Sequence, residues 1–229
     1  MSDISSRYHA VQETIRRAAE KAGRSPGDIR LVVVSKTYGV DEIREAIKAG
    51  ATLLGESRVQ EAKEKIAVLG RENLQWHLVG HLQKNKVKYI FDLFHMVHSV
   101  DSVELAEEIH RLGTAKNRGM EILIQVNVAG DEAKFGLSPD SALEAVKEIS
   151  RLKNVSIRGL MTIPPFEEDP EKSREYYKSL RELRDHIVAR GFDLPELSMG
   201  MSHDYGVAIE EGATLIRVGS AIFGERTYV

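Results

Sequence analysis

Eight short apolar runs recur along this chain, and between them lie seven segments with a helical pattern. The runs are RLVVVSK (30–36), TLLGES (52–57), WHLVGH (76–81), HMVHSV (95–100), EILIQVNV (121–128), SIRGLMTI (156–163), ELSMGM (196–201) and TLIRVGSAIFG (214–224). Their length and β-branched content predict buried strands. The helical pattern is clearest at VDEIREAIKAG, SPDSALEAVKEISRL and EKSREYYKSLRELRDHIVARG, while LQKNKVKYIF and HDYGVAIEEG each have room for a shorter helix. Ahead of the first strand, Tyr8, Val11, Ile15, Ala18 and Ala22 share one stripe between residues 5 and 22, and Gly23 stops it.

Eight strands alternating with helical segments argue parallel βαβ units, which close naturally into a (β/α)8 barrel. The pattern thus predicts an α/β protein, a TIM barrel with an extra N-terminal helix. An open doubly wound sheet is the architectural alternative. No Pro/Gly/Ser-rich linker divides the chain, so residues 1–229 read as a single domain. The two prolines of TIPPF (162–166) mark a loop start after the sixth strand.

Composition narrows the function more than the fold. A net charge of −3 gives no whole-chain reason to expect nucleic acid or an anionic membrane as partner. With no cysteine, disulfides, thiolate metal sites and thiol catalysis are excluded. The first 23 residues carry charge throughout and lack the apolar centre of a signal peptide. No stretch approaches the roughly 18 consecutive apolar residues of a membrane span. These features fit a cytoplasmic protein, and the lack of a dedicated assembly segment fits a monomer.

In a barrel the functional groups gather where strands end. Those ends are Lys36, Ser57, His81, Asp101, Asn127, Met161, Ser202 and Gly219, and the opposite rim reads as less polar. Lys36 closes the most hydrophobic strand. Its amine either reaches solvent along its methylene stem or sits desolvated as a Schiff-base nucleophile. At the seventh and eighth strand ends, SMGMS (198–202) and RVGSAIFG (217–224) place small residues where barrels commonly bind phosphate. Ser202 reads as an N-cap of the following helix, and Gly219 and Ser220 offer backbone amides. Gly200 and Gly219 have a second reading, simple relief of crowding. Arg217 shares a strand face with Gly219 and needs an acceptor, for which a structural carboxylate is the plain candidate. A lysine on the first strand, an arginine on the eighth and a phosphate cradle between the seventh and eighth together suit pyridoxal phosphate.

The stretches VVSKT, GESRVQEAKEK (55–65), WHLVGHLQKNK (76–86), HSVDS (98–102), QVNVAGDEAKFG (125–136), RGLMTIPP (158–165), LSMGMSHD (197–204) and EGATLIRVGSAIFGER (211–226) resemble the pyridoxal phosphate homeostasis proteins. These are single-domain barrels similar to the N-terminal domain of alanine racemase. The resemblance implies pyridoxal 5′-phosphate held as an internal aldimine on Lys36. It also implies a phosphate held by Ser202, Gly219 and Ser220, and a pyridine nitrogen facing Arg217. His81 and Met161 complete the expected pocket. Where the family usually reads Gly-Glu-Asn, this chain has Gly55, Glu56 and Ser57, so an amide contact from that position is lost.

The implied role is a carrier that supports intracellular cofactor homeostasis, with apo-enzymes as recipients. Two rivals stand beside it: an amino-acid racemase using the same cofactor, and a cofactor-free Schiff-base lyase. An arginine facing the ring nitrogen keeps it unprotonated, and the chain ends at RTYV with no further domain to supply a second acid, so poor catalysis is expected. His77 and His81 span roughly 13 Å along a strand, too far for one ion, and His95 and His98 point to opposite faces, so no metal site is expected. Lys84, Lys86 and Lys88 read as a solvated face, a docking site for an acidic partner or an entry path for a phosphorylated ligand. Lys134 faces solvent or closes over the mouth.

Overall fold

The computed structural model describes residues 2–131 and 134–225. Eight parallel strands close in sequential order: β1 Arg30–Val34, β2 Leu53–Glu56, β3 Gln75–Leu78, β4 Met96–Val100, β5 Met120–Gln125, β6 Val155–Met161, β7 Glu196–Met201 and β8 Leu215–Val218. Around them run α1 Asp3–Lys21, α2 Val40–Lys48, α3 Val59–Leu69, α4 Val87–Leu93, α5 Val103–Lys116, α6 Pro139–Ile149, α7 Arg174–Val188, α8 Tyr205–Glu210 and α9 Ser220–Phe223. The barrel, and not the open sheet, is the architecture. Val33 of β1 pairs with Val218 of β8 and closes the ring.

The strands are buried on both faces, which is why they read as unbroken apolar runs. Val32, Val34, Leu53, Val79, Met96, Leu123, Met161 and Leu215 fill the lumen as one cluster. Their strand neighbours, such as Leu31, Val33, Leu54, Val97, Ile122 and Ile216, face the helices. The two sets alternate, as a pleated strand requires. Burying each such side chain stabilises the fold by about 1.5–3 kcal/mol before conformational entropy is subtracted.

The extra helix α1 lies over the seam where β8 meets β1. Arg7 Nε donates to the Ile222 carbonyl at 2.9 Å, and Arg24 donates to the carbonyls of Ile209 (2.9 Å) and Ala213 (2.8 Å). Both ends of α1 are thereby tied to the elements that flank β8.

Several strands stop earlier than their apolar runs. The segment 214–224 splits into β8 and the short α9, because the amides of Ile222 and Phe223 turn back onto the Gly219 carbonyl. The polar residues that end the runs, Lys36, Ser57, His81 and Ser202, therefore lie on loops at the C-terminal rim. The opposite rim is more polar than the sequence pattern predicts: Arg30 and Glu196 form an ion pair there at 2.7 Å.

Candidate functional site

A cavity of ≈ 300 Å³ opens at the C-terminal rim over the junction of β1, β7 and β8. It takes in six of the eight residues expected from the sequence: Lys36, Ser57, Ser202, Arg217, Gly219 and Ser220. Val34, Val79, Ile163 and Phe166 add apolar walls. Met161 lies deeper, fully buried in the lumen cluster beside Val34 and Val79. His81 stands outside the lining; its Nδ1 is 3.2 Å from Asp101 Oδ2, and its ring stacks on Phe135 at 3.9 Å. A larger cavity of ≈ 690 Å³ sits at the strand starts, lined by Arg30, Arg71 and His95. Size does not select it, since barrel chemistry belongs to the other rim.

Arg217 projects from β8 into the lumen and is 4% exposed. One terminal nitrogen donates to Ser198 Oγ at 2.6 Å and the other to the Thr162 carbonyl at 2.8 Å. The plain expectation of a carboxylate partner is not met: both acceptors are neutral. Burial lowers the guanidinium to about 10, against the opposing pull of Tyr177 and Asp204, so it remains a cation at neutral pH.

Below it runs a file of polar side chains that sequence reasoning did not assemble. Ser198 Oγ lies 2.9 Å from His98 Nδ1, and His98 Nε2 lies 2.9 Å from His77 Nδ1. A guanidinium only donates, so Ser198 accepts from Arg217, and the tautomers of the two rings set which partner donates in the other two contacts. Burial pushes His77 down to about 3 and His98 well below its ordinary range, so both rings are neutral. The available signal was strand parity, since His77 falls on the face of Val79 and His98 on that of Met96. Among the described residues, no group of three or more ligating side chains suits a metal ion.

The loop that carries Lys36 is gripped from behind. Lys65, on α3, donates to the Ser35 carbonyl (2.6 Å), Glu56 Oε1 (2.7 Å) and Glu61 Oε1 (2.6 Å). Ser35 Oγ donates to Glu56 Oε1 at 2.7 Å, and the Thr37 amide donates to Glu61 Oε1 at 2.6 Å. Glu56 is fully buried, and that burial raises its carboxyl despite the pull of Lys65 and Ser35.

Ser202 does not cap α8; Asp204 occupies that place. Ser202 Oγ instead accepts the amides of Gly219 (3.1 Å) and Ala221 (3.3 Å). With those lone pairs engaged, the hydroxyl proton is what Ser202 has left to offer a ligand. Asp204 is buried, accepting from the Met201 amide at 2.8 Å and the Tyr177 hydroxyl at 2.7 Å. The glycines do relieve crowding. A Cβ on Gly200, which has φ +88°, would meet Ala208 Cβ at 2.5 Å, and one on Gly219 would meet the Val34 carbonyl at 3.0 Å.

The lysines outside the pocket are peripheral. Lys84 and Lys88 are exposed, with Lys88 5.0 Å above the Tyr89 ring. Lys134 is partly buried in the loop after β5. Parts of the motifs at 125–136 and 211–226, and the terminal RTYV, fall outside the described residues.

Residues 7–227 match the family described as alanine racemase, N-terminal domain. The pyridoxal phosphate homeostasis protein of Aquifex aeolicus (strain VF5) is 45% identical over 223 residues, covering 97% of this chain and 98% of its own. That of Escherichia coli (strain K12) is 35% identical over 231 residues, covering 100% and 99%. PipY of Synechococcus elongatus PCC7942, solved with PLP bound, superposes with a TM-score of 0.81 at 36% identity, covering 92% of this chain and 100% of PipY. Alanine racemase from Clostridium difficile 630 shares the fold at a TM-score of 0.75 and 15% identity, this chain spanning 58% of it and 97% of itself being covered. With relatives at these identities matched nearly end to end, the chain belongs to the pyridoxal phosphate homeostasis proteins, within the alanine racemase N-terminal-domain family.

Proposed function

We propose that this chain binds pyridoxal 5′-phosphate, holds it covalently through Lys36, and serves cofactor homeostasis rather than substrate turnover. The observation that carries this reading is Arg217. It is a lumen cation whose two hydrogen-bond acceptors among the described residues are neutral, at the floor of a cavity lined in part by Lys36. Such a group suits a pyridine nitrogen that keeps its lone pair. The remaining parts fit the same ligand. Lys36 would supply the amine that meets the cofactor's aldehyde. Ser202 and Ser220 would supply donors for a phosphate, beside the uncrowded backbone of Gly219. Val34, Val79 and Phe166 supply apolar surface for a ring.

When bound, the cofactor contributes an electrophilic carbon and an electron-withdrawing ring. Arg217, having only donors, would favour an unprotonated ring nitrogen, which makes the ring a weaker electron sink. Racemisation also needs an acid opposite the lysine. The other titratable side chains lining the pocket are already engaged: Tyr38 with the Gly224 carbonyl, His203 with the Glu168 carbonyl, and Asp204 with Tyr177. Acceptor apo-enzymes are the recipients we propose, with the chain acting as a cytoplasmic monomer.

Titration with pyridoxal 5′-phosphate, followed by visible absorbance, tests the reading. Wild-type protein should develop a Schiff-base band that Lys36→Ala lacks, and neither should interconvert amino-acid enantiomers. Retention of the band in Lys36→Ala would move the attachment elsewhere. Robust enantiomer interconversion that depends on Lys36 would make the chain a racemase.

A further inference from the structure

The contacts behind Lys36 have a regular geometry. The Ser35 carbonyl belongs to the peptide unit before Lys36, and the Thr37 amide to the unit after it. Lys65 holds the first directly, and Glu61, which Lys65 also binds, holds the second. One ion pair on consecutive turns of α3 therefore fixes both peptide planes around the Lys36 Cα, and with them the direction of its side chain.

Two further observations show that the local backbone would not rest there unaided. Thr37 has φ 71°, a left-handed conformation unusual for a β-branched residue. Glu56 is fully buried, and its Oε2 has no hydrogen-bond partner among the described residues. Lys65 is 6% exposed and spends all three ammonium donors on this cluster. Buried ion pairs add little net stability compared with well-packed apolar side chains, so the consequence of this one is orientation.

We propose that Lys65, with Glu56 and Glu61, is a positioning group for Lys36, imposing the strained turn at Thr37 so that the Lys36 amine enters the pocket. The spacing Glu56, Glu61, Lys65 within GESRVQEAKEK is its sequence signature. The inference rests on Lys36 as the point of cofactor attachment.

The test uses the full chain and the variants Lys65→Met, Glu61→Ala and Glu61→Gln. In ligand-free protein, hydrogen exchange at the Thr37 amide should accelerate about tenfold or more in Lys65→Met and Glu61→Ala. The rate of attachment of pyridoxal 5′-phosphate should fall by about tenfold or more in the same two variants, as expected for a misaimed nucleophile. Affinity for pyridoxine 5′-phosphate, which has no aldehyde to attach, should be unchanged. Glu61→Gln retains the acceptor and should stay close to wild type in every measurement. An unchanged attachment rate in Lys65→Met would overturn the proposal. So would a parallel loss of pyridoxine 5′-phosphate binding, since that marks general collapse of the pocket. If Lys65→Met does not fold, Glu61→Ala decides, because that side chain is 25% exposed and tolerates truncation better. Absence of attachment at Lys36 in wild-type protein would defeat the functional reading instead, and Thr37 exchange would still report whether the strut holds the turn.

Discussion

Ser202, which we propose faces the phosphate, has its oxygen committed within the chain. That oxygen accepts the amides of Gly219 and Ala221, which leaves the hydroxyl proton as its donor, and truncation removes that donor and loosens the start of α9. A hydrogen bond to a charged group contributes about 1.5–3 kcal/mol, so Ser202→Ala should weaken pyridoxal 5′-phosphate binding about tenfold or more. Unphosphorylated pyridoxal should lose little. Equal losses for the two ligands in equilibrium titrations would place the phosphate elsewhere. Of the residues involved, Lys36, Arg217 and Gly219 were legible because rim position and strand parity need only a single strand. The lumen file was not. His77, His98 and Ser198 come from three strands, and only the register between strands shows that their side chains meet. The N-cap assigned to Ser202 failed for a similar reason: its hydroxyl is committed to amides seventeen and nineteen residues away.

At the scale of elements, a buried hydrogen bond joins α7 to the loop after β7. The Tyr177 hydroxyl donates to Asp204, whose other oxygen accepts the Met201 amide and shapes the floor of the pocket. Burial and the Asp204 charge push the Tyr177 hydroxyl well above its ordinary range, so it remains a donor throughout the working pH range. Tyr177→Phe leaves a buried carboxylate oxygen without that donor and should destabilise the fold by about 1.5–3 kcal/mol in urea denaturation. A change inside experimental error would mean that Asp204 finds another donor. Element identity followed well from periodicity, down to the helix in front of β1. The element ends did not, because an apolar run records burial and not hydrogen bonding. Residues 214–224 remain apolar across Gly219 while the ladder stops at Val218.

For the molecule as a whole, the barrel encloses two neutral histidines beneath a cation, which makes its stability depend on pH. His77 titrates near the ordinary 6.5 when unfolded and at about 3 when folded, and burial also holds His98 well below its ordinary range. Between those limits the unfolded chain binds more protons. Stability is therefore complete above the unfolded value and falls as pH drops through the window, by about 1.4 kcal/mol per pH unit for each histidine. His77→Gln, which keeps an acceptor for His98, should flatten the dependence by about that amount between about pH 6.5 and about pH 5. Parallel curves for wild type and variant would show that His77 does not stay neutral in the folded state. The central claim, that this barrel holds its cofactor on Lys36, is tested most directly by borohydride reduction of the cofactor-loaded protein followed by peptide mass spectrometry. The account predicts a pyridoxyl group on the peptide containing Lys36; its absence there, or its appearance chiefly on another lysine, would contradict it.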